Sequence, residues 1–250
     1  MAKEKYYRLP RMILFDVGGT LFIDGKCIFR DGLSALRAAA LNPGVTDDDT
    51  LCRLWDEYSR EVGTEHYSIS GAHLDFSLSS SLKYVIMNTG LRFNEDIFQL
   101  EEIFDRFNSS RQIAAGLESL LDTLKARGIR TAVISNNAMS GESLSLAIKR
   151  WLPLSDFEFC LTSADIMLAK PCGSIFLTAA AFAGVAPEDC FYCGDSFAAD
   201  VEGSASVGML PVLIDTEAPA PLIFEDNGCG EYMRIKSWSA LEKFINDIKD

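Results

Sequence analysis

Met12-Ile13-Leu14-Phe15-Asp16-Val17-Gly18-Gly19-Thr20-Leu21 is the stretch whose reading decides the fold of this chain. Its four leading apolar residues form a continuous run without alternation, the pattern of a strand buried on both faces. The aspartate and two glycines that follow end the strand in a loop. A strand of this kind belongs to a parallel sheet covered by helices, and from about residue 114 the chain supplies both. An amphipathic helix over 117–127 stops at Gly128, and the apolar strand 130–134 runs into Ser135-Asn136-Asn137. A helix over 140–151, a strand over 157–161 and a helix over 174–183 come next. The strand 189–193 ends in Gly194-Asp195-Ser196, then a helix over 201–207 precedes a strand over 210–214. Repeated strand–helix alternation predicts an α/β fold with a parallel sheet and helices on both faces.

Working back toward the first strand, residues 21–29 read as a small β-hairpin, with Asp24-Gly25 as its two-residue turn. Residues 30–110 differ in character. Helical apolar spacing occurs over 31–41, 50–62, 78–87 and 95–107, and no strand alternation shows, so the segment reads as an all-helical insertion. Asp47-Asp48-Asp49 places negative charge at the start of the second of these helices. Trp55, Tyr58, Tyr67 and Phe76 fit two uses, the wall of a pocket or the packing of the helices.

In a parallel sheet, ligands bind outside the carboxyl ends of the strands. Asp16, Ser135 and Asp195 all fall there. Gly18 and Gly19 let backbone groups approach a ligand, and Thr20 offers a hydroxyl. Ser135 and the amides near it can bind a phosphate oxygen, while Lys170, before Pro171, can neutralise a phosphate. Asp195 and Asp200 add carboxylates. Such a set suits magnesium-assisted phosphoryl chemistry, because Mg2+ prefers oxygen ligands and bridges carboxylate to phosphate.

The 250 residues accommodate one large domain with an insertion, and 48% hydrophobic with 24% charged residues is ordinary for a globular protein with a sizeable core. A formal net charge of −13 repels a phosphate backbone, which argues against nucleic acid as a partner. The seven cysteines show no disulfide-scaffold spacing, and Cys190 and Cys193 read as buried thiols in a strand. The polar start Met1-Ala-Lys-Glu-Lys-Tyr-Tyr7 has no apolar signal region, and no run approaches a membrane span. The expected compartment is the cytoplasm, and the expected partner is a small phosphorylated molecule rather than nucleic acid or membrane. Oligomeric state stays open.

Taken in order, Asp16-Val-Gly-Gly-Thr20-Leu21, Ser135-Asn136, Lys170-Pro171, and Gly194-Asp195-Ser196 with Asp200 resemble the four motifs of the haloacid dehalogenase-like hydrolases, across nearly the whole chain. The resemblance implies a Rossmann-like core formed by residues 1–29 and 111–250, a helical C1-type cap formed by 30–110, and a flap over about 21–29. It makes Asp16 the nucleophile that forms an aspartyl-phosphate. Gly19, Thr20, Ser135, Asn136 and Lys170 would bind the phosphorylated substrate, with Ser135 on the transferring phosphoryl group and Lys170 balancing charge. Mg2+ would be held by Asp16, the backbone carbonyl of Gly18 and Asp195, with Asp200 ligating through water or orienting Lys170.

One position departs from the pattern. Phosphatases of the family place a second Asp two residues after the nucleophile, as general acid and base, where this chain has Gly18. Such a group contributes ~10²–10⁴-fold to rate. Three readings fit. The chain is a phosphatase whose acid comes from elsewhere, with His66, His73, Glu57 and Asp75 as candidates, or whose substrate needs none. It is a dehalogenase- or phosphonatase-type hydrolase of a carbon–halogen or carbon–phosphorus bond, the latter requiring a reactive lysine such as Lys26 or Lys83. Or it is a catalytically impaired phosphate-binding or regulatory scaffold.

Overall fold

The computed structural model describes residues 3–62, 68–69, 72–73, 77–226, 228 and 230–249. In chain order its strands are β1 (Met12–Phe15), β2 (Phe22–Cys27), β3 (Ser68–Ile69), β4 (Ala72–His73), β5 (Ser109–Ile113), β6 (Arg130–Ser135), β7 (Cys160–Thr162), β8 (Cys190–Gly194), β9 (Leu210–Ile214), β10 (Leu222–Asp226) and β11 (Glu231–Ile235). Seven of them form one sheet in the order β10-β11-β9-β8-β1-β6-β7. β1 lies between β6 and β8 and is parallel to both. β9 and β11 continue the parallel arrangement, and β10 closes the edge antiparallel. This is the α/β, Rossmann-like core that the sequence predicts.

The absence of alternation in β1 has a direct cause. Ile13 and Phe15 pack under the helices Leu117–Ala126 and Trp238–Asp247, against Leu120, Leu124, Trp238 and Leu241. Met12 and Leu14 point the other way, into Ile175, Phe176 and Ala179 of the helix Gly173–Ala183. With both faces covered, every residue is apolar. Cys190 and Cys193 are buried in β8, as their reading as thiols in a strand requires.

The helices Phe29–Ala39, Asp48–Val62, Leu78–Thr89 and Ile97–Asn108 bury one another through Leu33, Leu51, Leu82, Leu100 and Phe104, with Met139 from the β6 side joining them. Asp47 accepts from the Thr50 amide at 2.8 Å, so the acidic triplet does begin a helix. Among the described residues, no helix is long and apolar enough to cross a membrane.

Four features differ from the sequence reading. The insertion is not wholly helical, because β3 and β4 pair antiparallel within it. Two-residue strands are too short for a period of two to register. Residues 21–29 are not a hairpin. Asp24 and Gly25 lie inside β2, which pairs antiparallel with β5, the segment returning from the insertion. Asp24 stands opposite Arg111, and the register shifts between Asp24 and Cys27, so the Asp-Gly pair makes a bulge instead of a turn. A partner supplied from residues 109–113, with a cross-strand ion pair, outweighs the local turn signal. The strand expected over 157–161 is shifted to Cys160–Thr162, and the helix expected from 201 begins as a π-turn at Phe197–Glu202.

Candidate active site

Because β1 is central, the residues that follow it and its two neighbours converge at one sheet edge. The Asp16 amide donates to the Cys193 carbonyl at 2.9 Å, tying the loop after β1 to β8. Beyond Asp16 the Val17 carbonyl accepts from Leu21 and Phe22, both at 3.0 Å, and folds the glycine segment into a tight turn. Gly19 sits at φ 68°, and a Cβ there would lie 2.2 Å from Asp195 Oδ2. Gly19→Ala is therefore expected to lower stability by about 1–3 kcal/mol, through the left-handed backbone and the displaced carboxylate. Thermal denaturation checks this; an unchanged midpoint would mean that Asp195 moves aside freely.

Lys170 is the buried centre of the site. Its ammonium donates to Asp16 Oδ1 at 2.7 Å, to Asp200 Oδ1 at 2.6 Å and to the Tyr192 hydroxyl at 2.9 Å, and Tyr192 in turn donates to the Ile134 carbonyl at 2.9 Å. The Asn136 side chain clamps the Lys170 backbone from both sides: its amide donates to the Lys170 carbonyl at 3.0 Å, and its oxygen accepts from the Lys170 N–H at 2.7 Å. Asp200 is itself oriented by the Ser196 amide, which donates to Oδ2 at 2.9 Å. Three of the ammonium's possible hydrogen bonds are thus used, and its geometry is determined from every side.

The electrostatics follow from burial and these pairs. Burial alone would depress the Lys170 ammonium, but the charges of Asp16 and Asp200 more than offset it and hold the pKa above its ordinary value. Burial pushes the Asp16 carboxyl up to about 6, against the pull of Lys170 and with the repulsion of Asp200. Partial burial, then the Asp200 charge, raise Asp195, and the charge of Asp24 adds to both.

Of the residues singled out from sequence, Asp16, Lys170, Asp195 and Asp200 are brought together. One carboxylate oxygen from each of Asp16, Asp195 and Asp200 lies within 4.8 Å of the others, an all-oxygen set that suits a hard divalent cation. Ser135 closes β6, buried beside this edge. The Thr20 hydroxyl is buried, with no partner among the described residues. Asn136 is engaged with the lysine backbone, a use the motif reading did not anticipate. Tyr192 was missed because it sits in an apolar strand and reads as core. Its only signal is its place on the Met12/Leu14 face, three residues before Asp195.

A cleft of about 630 Å³ lies among β2, the insertion helices and the segment after Asn136, with Asp24 and Asn137 in its wall. Trp55 and Tyr58 line it, and Trp55 also stacks on Phe104 with ring centroids 5.0 Å apart, so it serves pocket and core together. Tyr67, Phe76, His66 and Asp75 lie outside the described residues, as does the side chain of His73. Among the remaining acid candidates, Glu57 pairs with Arg53 at 2.7 Å on the surface of its helix.

Residues 10–208 match a family described as "Hydrolase: haloacid dehalogenase-like hydrolase". A mouse protein, haloacid dehalogenase-like hydrolase domain-containing protein 3, is 30% identical over 131 residues, 51% of this chain and 50% of that one. The chain thus spans about half the length of that relative. The glyceraldehyde 3-phosphate phosphatase of Methanopyrus kandleri is 24% identical over 217 residues, covering 82% of this chain and 83% of the relative. Among solved structures, the 2-haloacid dehalogenase of Pseudomonas syringae pv. Tomato superposes with a TM-score of 0.61 at 20% identity, over 95% of this chain and 99% of that one, a likeness of fold.

Proposed function

The chain belongs to the haloacid dehalogenase-like hydrolases, and from that premise we propose that it is a magnesium-dependent phosphatase of a small phosphorylated metabolite, with Asp16 as the nucleophile. The observation that carries the reading is the buried Asp16–Lys170–Asp200 array with Asp195 beside it. A relative covering most of the chain carries a phosphatase name, which supports the same direction.

The residues fit the metal. Asp16, Asp195 and the Gly18 carbonyl would hold it, whereas Asp200, with both oxygens already accepting from Lys170 and Ser196, would serve the lysine. Magnesium bound there would neutralise phosphate charge and fix the phosphoryl group beside the nucleophile. A carboxylate oxygen of Asp16 attacks phosphorus, the bond from phosphorus to the ester oxygen breaks, and an aspartyl-phosphate forms. Lys170 stays protonated throughout and balances the charge of both anions. Ser135 and Thr20 would donate to phosphoryl oxygens. Asn136 and Tyr192 fix Lys170 from its backbone and its tip. Residues 30–110 would act as the cap, their cleft wall choosing the leaving group.

Gly18 favours a second reading, a scaffold that binds phosphate without turning it over. A panel of phosphomonoesters separates the two. With Mg2+ the phosphatase reading predicts phosphate release that EDTA abolishes and fresh Mg2+ restores. Phosphate binding without release from any ester would favour the scaffold, and metal-independent halide release from 2-haloacids would favour a dehalogenase.

A further inference from the structure

We propose that Asp24 supplies the proton-transferring carboxylate that Gly18 lacks, an assignment that rests on the phosphatase reading. A Cβ built on Gly18 would lie 2.9 Å from Asp24 Oδ2, so the Asp24 carboxylate reaches across the space a side chain at position 18 would enter. It comes from another element, β2, and the bulge after Asp24 is what re-aims a strand residue in this way.

The carboxylate is held, yet free at one oxygen. Arg111 Nε donates to Asp24 Oδ1 at 3.2 Å. Arg111 is fixed by a two-pronged pair with the buried Asp105, at 2.9 and 3.0 Å. Oδ2, the oxygen facing Gly18, has no donor among the described residues. Asp24 is half exposed and lines the cleft of about 630 Å³ where a leaving group would lie. Two requirements for a general acid are met, reach toward the reacting centre and access to the departing group and to water.

The cycle balances. Asp16 bonds to phosphorus as the ester P–O bond breaks, and protonated Asp24 gives its proton to the departing oxygen, which leaves as an alcohol. The Asp24 carboxylate next takes a proton from a water whose oxygen bonds to phosphorus. The bond from phosphorus to Asp16 breaks, its electron pair returns to the Asp16 carboxylate, and phosphate leaves. Asp24 ends protonated, as it began.

The test compares wild type, Asp24→Asn, Asp24→Ala and Gly18→Asp/Asp24→Ala on an alkyl phosphate and on para-nitrophenyl phosphate, with Mg2+. Asp24 is half exposed and Arg111 keeps its two-pronged pair with Asp105, so the variants are expected to fold. Asp24→Asn is expected to lower kcat on the alkyl ester by ~10²–10⁴-fold. On the aryl ester, whose leaving group needs no proton, it should give one burst of nitrophenol per enzyme and then stall with phosphorylated Asp16, detectable after acid quench. The double variant restores the carboxylate from position 18 and should recover about tenfold or more over Asp24→Ala. Wild-type turnover that Asp24→Asn leaves within about threefold, or a loss equal on both esters with neither burst nor rescue, overturns the assignment alone. No phosphate release by wild type or by the double variant removes the phosphatase reading, and this assignment with it.

Discussion

Asp16→Asn is expected to lower kcat for phosphate release on the order of 10⁴-fold or more, because an amide in place of the carboxylate removes the attacking oxygen itself. The substitution is nearly isosteric, and three observations argue that the protein stays folded. Asp16 is buried, its backbone amide keeps the bond to the Cys193 carbonyl, and Lys170 retains Asp200 and Tyr192 as acceptors. Burial raises the Asp16 carboxyl to about 6, which means that the ionised form is held at a cost. Losing that charge is therefore expected to leave stability within about 1 kcal/mol of wild type, or to increase it slightly. Phosphate release and acid-quenched phosphoprotein are measured together, with a denaturant melt as control. A folded Asp16→Asn variant that keeps more than about a tenth of wild-type turnover would remove Asp16 from the reaction path.

How much of this was legible in the sequence depends on how far each interaction reaches along the chain. Strand ends were readable because β1, β6 and β8 are covered on both faces and therefore written as apolar runs, each broken by a polar residue at the sheet edge. Asp16, Ser135 and Asp195 followed from that, whereas Lys170 and Asp200 followed from the order of the motifs. Asp24 was not legible. Asp-Gly is a strong local turn signal, and its true partner, Arg111, is 87 residues away. The Asn136 clamp links positions 34 apart, and nothing in Ser-Asn announces that the amide serves a lysine backbone. Tyr192 hides in an apolar strand, where its ring packs edge-on against Phe176 while its hydroxyl accepts from Lys170. β10, β11 and the helix Trp238–Asp247 went unread because β10 is a half-exposed, mixed-polarity edge strand. What a strand's own end carries was readable, and what depends on contacts between distant segments was not.

Lys170→Met should be the most damaging single change to stability, and it should slow turnover as well. The ammonium is the one cation bonded to both Asp16 and Asp200 among the described residues, and removing it leaves two buried carboxylates facing each other. Breaking a buried pair in this way costs roughly 3–5 kcal/mol, since the charge left behind stays desolvated. Turnover should fall on the order of 10³-fold, because nothing then offsets the charge that develops as nucleophile and phosphate meet. The pH dependence distinguishes this cause from a mere loss of packing. Without Lys170 the carboxyl of Asp16 rises beyond its present value of about 6, and the folded state binds protons that the unfolded chain, with an ordinary carboxyl, has already released. A raised carboxyl pKa stabilises the fold at low pH, and that contribution is lost as pH climbs from about 4 through the folded-state value. The gap between wild type and Lys170→Met should therefore widen from about pH 5 to about pH 8 in metal-free urea melts. A gap of constant size would show that the methionine's packing, and not two uncompensated carboxylates, is responsible.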